Sequence, residues 1–528
     1  MNAYLKYNRL LLMSFISNIL KNNLYKNKRY VISIIAIVIS IFAIWPLFSL
    51  FGEAIWGFKN GNTSLGIDGF NQIKGTVYLI FLTSLFGGGI GTINGWLLAN
   101  CRFKWRKHLR IAQLIPLAIP AYLLSATLID LGSINGIRIN GLIWGVFIMS
   151  LTTYPYVFLL STESFSICGK KQLEACRSLG VGPWESFFKI ALPLAIPSIG
   201  AGIALMSMEV LNELGAVQLL NIKTISAGIV ENWVSENNPS GAIGLAFVAL
   251  ILVSSLILFE KNLRAKSRRW TEGIAGGQSP EWKLKGIREV IATTLCFAPP
   301  LLTLGIPLFW FLINFDQIFQ GLDFDLINLT LRSLFIAIAA SVMTCIFALF
   351  LSSAKRWDKS SFIRGLTFIS GIGYAIPGVV LAIALLNFSG SSIFISPFLL
   401  LLWGYCDRFL AVAKGGLDAG FERIPPNIDE AASGLGNSWY GVLKKIHLPL
   451  LKGPLTVGAL LVFVDTLKEL PLTFILRPFD FDTLSVRIYQ YAGDERLPEA
   501  IIPALIIITL GLIASMLLIP TLEKISDN

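Results

Sequence analysis

The sequence predicts an all-α, polytopic membrane protein of about twelve transmembrane helices, arranged as two parallel six-helix repeats. Three observations predict it. Apolar residues make up 54% of the 528 residues and charged residues only 14%, with a mean hydropathy of +0.69, far too apolar for a soluble protein of this length. Several stretches run for about 18 or more nearly uncharged residues, enough to cross about 30 Å of hydrocarbon at about 1.5 Å per residue. A pattern in the first half also returns in the second at a constant offset of 256 residues. A fixed-period repeat defines the architectural unit.

The first span, near 30–51, follows the basic stretch Lys26–Arg29 and is too long for the apolar region of a cleaved signal. Ahead of it, Leu10–Leu20 is a short apolar stretch between basic residues and reads as an interfacial helix. Five more spans follow near 75–99, 111–131, 141–160, 198–220 and 241–259. The second six lie near 290–313, 329–353, 366–387, 393–413, 455–476 and 499–520. Between the two sets, 261–288 is basic, contains glycine and has no apolar periodicity, which reads as a cytoplasmic linker.

Orientation follows from the basic residues, because Lys and Arg concentrate on the cytoplasmic side. Alternate segments, from the N-terminal tail through the 161–197 loop, the linker and the 414–454 loop to the C-terminal tail, hold 33 of the 43 Lys and Arg. Both termini are therefore expected in the cytoplasm. With six spans per half, the halves insert in the same orientation, related by an axis along the membrane normal. The net charge of +11 is this bias beside anionic lipid and implies membrane-lipid contact, not nucleic acid. Six cysteines (101, 168, 176, 296, 345 and 406) show no paired spacing and are expected to stay reduced. The two histidines, His108 and His447, fall in cytoplasmic loops, which argues against a His/Cys metal site, and His447 reads as a surface residue.

The repeated pattern carries the function. Glu174-Ala175-Cys176, Gly180, Ile190, Leu192 and Pro193 recur as Glu430-Ala431-Ala432, Gly436, Ile446, Leu448 and Pro449, both times in a polar cytoplasmic loop ahead of a span. Gly180 and Gly436 permit a sharp break between two short helices, and Pro193 and Pro449 suit a chain turning back toward the bilayer. One copy alone would read as an ordinary surface loop; two copies in register do not.

This pattern, E-A-A-x3-G-x9-I-x-L-P, resembles the coupling loop of the permease subunits of type I, binding-protein-dependent ABC importers, with Cys176 in place of the second alanine as the sole departure in its fixed positions. The resemblance implies that Glu174, Ala175, Gly180 and Pro193, and Glu430, Ala431, Gly436 and Pro449, dock a separate ABC ATPase. The chain has no G-x-x-x-x-G-K-[ST] phosphate loop, and Gly169-Lys170-Lys171 fails the pattern. No catalytic residue is therefore expected here. The resemblance implies no cofactor on this chain, two ATPase copies carrying ATP and magnesium, and a periplasmic or lipid-anchored substrate-binding protein meeting the outer loops near 220–240 and 477–497.

A narrower resemblance covers roughly 73–260 and 328–520. Lys468–Leu484, Ala492–Leu497, Met208–Gln218, Gly228–Trp233, Arg408–Leu410 and Ala419–Ile424 are similar to the fused two-domain permeases of ferric-iron importers. It implies a bacterial inner-membrane location, an iron-binding partner and four regions. These are a tail and first span (1–72), a first permease domain (73–260), a linker and seventh span (261–327), and a second permease domain (328–522). Fused permeases for thiamine and phosphonate share that architecture and stay open as alternatives, as does an ATP-independent transporter or channel, which has no need of a doubled coupling motif.

Independently of family, carboxylates inside the spans mark a candidate pathway. Glu209 and Glu213 recur at the same offset as Asp465 and Glu469, each pair spaced i, i+4 on one helix face. A carboxylate deep in a bilayer costs about 2.5–3.5 kcal/mol on insertion scales and should face protein or a cavity. Oxygen-rich clusters suit hard cations, so transient metal contact is expected at these four residues. Lys468, three residues after Asp465, is the basic residue that could instead pair with it. Tyr154 and Tyr156 could add phenolate oxygens or act as interfacial anchors.

Overall fold

The computed structural model describes residues 2–61, 64–167, 170–271, 281–316, 324–358, 360–389 and 396–527. Cys168, Gly169 and part of the linker lie outside the described residues. Helix α1 (Asn2–Lys59) runs through Pro46, which intramembrane helices tolerate. Leu10–Leu20, expected as a separate interfacial helix, is the beginning of α1. Helix α2 (Gly69–Asn100) leads into strand β1 (Cys101–Arg102).

The span expected at 111–131 is broken. Ile119 and Pro120 are extended, because a residue before proline avoids the helical region. Helix α3 (Ala121–Ile134) therefore leaves the preceding Arg106–Ala118 arm at 87°. Next come α4 (Leu142–Ile167), α5 (Lys170–Ser178), α6 (Leu192–Asn212), the short α7 (Gly215–Leu219) and α8 (Pro239–Thr271).

The second half begins after strand β2 (Trp282–Lys283) with α9 (Ile287–Ile313) and α10 (Phe324–Trp357). Helix α11 (Gly378–Ser389) is bent by 115° from Ser361–Ala375, again at a proline, Pro377. Then come α12 (Pro397–Glu422), α13 (Pro426–Gly434), α14 (Lys452–Lys468), α15 (Pro471–Leu476) and α16 (Leu497–Asp527). Helix α14 meets Trp439–Leu450 at 75°. That arm carries Lys444, Lys445 and His447, and the apolar run begins beyond it.

Among the described residues, eight helices are long and apolar enough to cross a membrane, or up to eleven if each bent pair is one span. The twelfth expected span is α12. It is long enough at 26 residues, but Asp407, Arg408, Lys414 and Asp418 make it too polar to qualify by composition. The chain is a polytopic all-α membrane protein.

The chain divides into two compact units, one formed by Met1–Pro46, Ile338–Tyr374 and Tyr405–Phe463, the other by Leu47–Ala337, Ala375–Gly404 and Val464–Asn528. In the larger unit α9, the first helix of the second half, packs on α2, α3 and α4 of the first. In that same unit the rings of Phe51 and Phe58 of α1 lie tilted against Phe247 of α8 at 5.3 and 5.7 Å, and Glu53 accepts a hydrogen bond from Asn387 of α11. In the smaller unit Ser33 donates to Asp358 at 2.9 Å. Helix α1 is thus part of both packed bodies.

The described parts of the linker carry regular structure that its sequence does not suggest. Helix α8 continues through its first part to Thr271, and its far end pairs as β2 in parallel with β1, Cys101 opposite Trp282 and Arg102 opposite Lys283.

Candidate coupling loops and intramembrane carboxylates

Both motif helices end in the same way. The N–H of Gly180 bonds the carbonyl of Arg177 at 3.0 Å, and that of Val181 bonds Cys176 at 2.9 Å. Gly436 bonds Ser433 at 3.0 Å and Asn437 bonds Ala432 at 3.1 Å. This paired closure satisfies the last carbonyls of α5 and α13 and requires a left-handed residue at the turn. Gly180 and Gly436 supply it, with φ of 76° and 82°. A Cβ at either position would meet nothing within 4 Å, so the constraint is backbone conformation and not space.

Glu174, Ala175, Glu430 and Ala431 are exposed on their helices. Pro193 sits in the first turn of α6 and Pro449 in the short helix Leu448–Leu450, where a missing N–H costs nothing. Sequence reasoning missed one pair: Leu179 and Leu435, immediately before the glycines, are 81% and 84% exposed. Their shared register in both copies was the available signal. Trp184 and Tyr440 are exposed at the same offset.

Beneath these matched surfaces the two loops are fastened differently. Under the first, Leu173, Phe187 and Ala191 are buried with Trp96, Phe165 and Trp282. The Trp96 ring lies 5.5 Å from Phe165, 5.4 Å from Phe187 and 5.7 Å from Trp282. The Trp282 indole N–H donates to the carbonyl of Val181 at 3.3 Å.

Under the second, Arg356 at the end of α10 donates to Asp429 at 2.6 Å and to the carbonyls of Phe421 and Ile424 at 2.7 and 3.0 Å. His447 Nε2 lies 2.7 Å from the other Asp429 oxygen, with its ring against Phe421 and Trp357 at 5.1 and 5.5 Å. His447 is therefore fully buried and not the surface residue expected, because the arm folds back over α13. Burial pushes its pKa below the ordinary value despite the pull of Asp429. Burial opposes ionisation of Asp429, but its bonds to Arg356 and His447 hold the carboxyl below the usual range.

The four intramembrane carboxylates do not form one equivalent set. The spans expected as continuous over 198–220 and 455–476 both break. Glu213 leaves the helical region at the end of α6, and its Oε1 accepts the N–H of Ala216 at 3.0 Å. Glu469 follows α14 and accepts the N–H groups of Leu472 and Thr473 at 2.9 and 3.0 Å and the Thr473 hydroxyl at 2.7 Å. Both cap a restarted helix whose first residue is Gly215 or Pro471, and satisfy N–H groups that would otherwise be orphaned.

Asp465 pairs with Lys468 at 3.0 Å. Lys468 also donates to the carbonyl of Leu117 at 3.0 Å and lies within electrostatic reach of Glu209 and Glu213. One lysine of the second half thus serves carboxylates of both. Gly215 marks the close approach, since a Cβ there would stand 2.6 Å from both Tyr122 and Leu470. Among the described residues no group of three or more His, Cys, Asp or Glu is placed to hold a metal ion. Tyr154 is fully buried beside Trp96 in the first-half core and is no interfacial anchor.

Spans, broken helices and paired loops define a class, an integral-membrane transport subunit, and comparison with known proteins specifies it. Residues 91–268 match the family described as the binding-protein-dependent transport system inner membrane component. Over 455 residues the chain is 24% identical to the Fe(3+)-transport system permease protein FbpB 2 of Haemophilus influenzae, covering 83% of this chain and 87% of the relative. It is 32% identical to the sulfate transport system permease protein CysT of Escherichia coli, over 27% of this chain and 56% of that one. To the molybdenum transport system permease protein ModB of Escherichia coli it is 28% identical, over 35% and 90%.

The chain is the permease subunit of an ABC importer, an inner-membrane component that works with a substrate-binding protein and an ATPase. Such subunits are not themselves enzymes.

Proposed function

We propose that this permease carries ferric iron, delivered by a periplasmic iron-binding protein, into the cytoplasm by alternating access. The observation that carries the substrate is the length of the match. The ferric relative aligns over 83% of the chain, both halves included, whereas the sulfate and molybdenum relatives align over 27% and 35%. Because those shorter matches are to oxyanion permeases, an oxyanion is the second reading. Uptake of radiolabelled ferric ion, sulfate and molybdate by cells expressing the chain with its neighbouring genes decides between them. Ferric uptake absent beside oxyanion uptake overturns the iron reading.

Two ATPase copies bind, one to each loop, and supply ATP and magnesium. The exposed leucines beside Gly180 and Gly436 favour this, because an exposed apolar side chain on a rigid turn suits insertion into a partner's cleft. Replacing Leu179 and Leu435 together with Asp should leave the permease in the membrane without its ATPase. Both termini then lie in the cytoplasm, and 73–260 and 328–522 act as the two permease domains.

Along the pathway we assign the carboxylates separate tasks. Glu213 and Glu469 hold the helix breaks, while Glu209 and Asp465, balanced by Lys468, face the passing cation. Glu209→Gln with Asp465→Asn should cut uptake at normal expression, whereas Glu213→Ala with Glu469→Ala should lower the amount of folded protein. Uptake unchanged by Glu209→Gln with Asp465→Asn would overturn the pathway role of that pair.

A further inference from the structure

One of the linker's two tryptophans, Trp282, is buried in the aromatic cluster behind the first loop. Trp282 is 9% exposed, lies tilted against the ring of Trp96 of α2, and donates its indole N–H to the carbonyl of Val181, the residue that closes the α5 turn. The chain around it is fastened at several further points. Leu284 N–H bonds the Arg102 carbonyl at 3.0 Å, Arg106 pairs with Glu281 at 2.5 Å, and Glu289 accepts the Lys104 N–H at 2.9 Å. Glu289 is already in the first turn of α9. A short tether therefore joins the first loop to the first helix of the second half, and α9 packs on α2, α3 and α4.

We propose that Trp282 is a positioning residue for coupling: it makes the first loop move together with α2 and α9 when the ATPase pulls on it. The proposal rests on the reading of residues 174–193 as an ATPase-docking loop. Its physical basis is rigidity. A helix of nine residues ending in an exposed turn transmits displacement only if its far side is held, and here the holding side chain comes from the linker. Part of the pull on the first half is then delivered directly to the second half's first span.

The test uses the complete transporter, permease with ATPase and binding protein, in proteoliposomes, and reads ferric ion carried per ATP hydrolysed. Trp282→Ala should retain the ATPase and hydrolyse ATP, yet carry about fivefold less ion per ATP, in line with typical coupling energies. Hydrogen exchange should quicken in 173–182 and not in 425–437. Trp282→Phe, which keeps an aromatic ring against Trp96 but loses the N–H, should recover most of the ratio. If Trp282→Ala does not fold, Leu284→Pro releases the strand while keeping the tryptophan and should lower the same ratio.

A wild-type ratio in the folded variants overturns the proposal, as does equal loss of protection in both loops. The docking reading fails separately, if Leu179→Asp with Leu435→Asp keeps the ATPase bound. Should wild type carry no ferric ion, the substrate reading fails, and the ratio of ATP hydrolysed with loaded and empty binding protein replaces it.

Discussion

The two coupling loops have nearly the same backbone and quite different foundations. Each ends a nine-residue helix with a left-handed glycine and presents an exposed leucine. The first is seated on a dry aromatic cluster, the second on a hydrogen-bonded Arg–Asp–His group. At the repeat offset Leu173 stands for Asp429, Ala191 for His447 and Asn100 for Arg356, so none of the three titratable groups of the second seat has a titratable counterpart in the first. The surface motif is the same in both loops, while each interior is internally consistent in its own way. An aromatic seat depends on packing volume and is insensitive to pH; a polar seat depends on every member being present.

That contrast can be broken most forcefully from the aromatic side. Phe187→Ala should destabilise the first seat by about 3–5 kcal/mol, the usual cost of emptying a buried phenylalanine site. Hydrogen exchange should rise in 173–182 and stay unchanged in 425–437. Arg356→Met should do the converse at about 2–3 kcal/mol, because Asp429 loses its counter-charge in a partly buried place. Equal effects on both loops from either variant would mean that the seats are not independent.

Gly180→Val and Gly436→Val sharpen the comparison by acting where the loops agree. Each should cost about 1–2 kcal/mol, the penalty of a left-handed β-branched residue, with similar loss of ATPase binding in pull-down. A marked inequality would show that the deeper seat governs the turn.

The smallest effect expected is that of pH. His447 has a folded pKa below its ordinary value of about 6.5, so the loosened state binds the proton more readily. Stability of the second loop should therefore fall as pH drops through about 6.5 toward that lower folded value. Asp429, whose pKa is lowered, contributes stability that is lost only below about pH 4. The change from about pH 7.5 to 5.5 should be visible as exchange in 425–437 alone. His447→Gln should abolish it.

Much of this was legible in the chain. The apolar runs announced the spans, and the doubled motif announced the loops, because a left-handed turn and an exposed short helix impose the same residues wherever they occur. The breaks were harder to read. In Glu213-Leu214-Gly215 and Glu469-Leu470-Pro471 a carboxylate is followed by a residue that suits a helix start, which is a capping signal. Hydropathy continues unbroken through both, so the glutamates looked like mid-helix charges. His447 was misread for a related reason, since its partners Arg356 and Asp429 come from distant segments. Trp282 left no trace, because a two-residue strand has no periodicity.

The bond between Glu53 and Asn387 spans 334 residues of sequence, and this separation has a consequence in time. A ribosome adding about 5–20 residues per second delivers Asn387 roughly 17–67 s after Glu53. Throughout that interval α1 sits in the membrane without its carboxamide partner and with one face toward lipid. Docking of α1 on α11 therefore waits for a segment made long after α1, and through that interval α1 persists in the bilayer as a helix held by its own backbone hydrogen bonds.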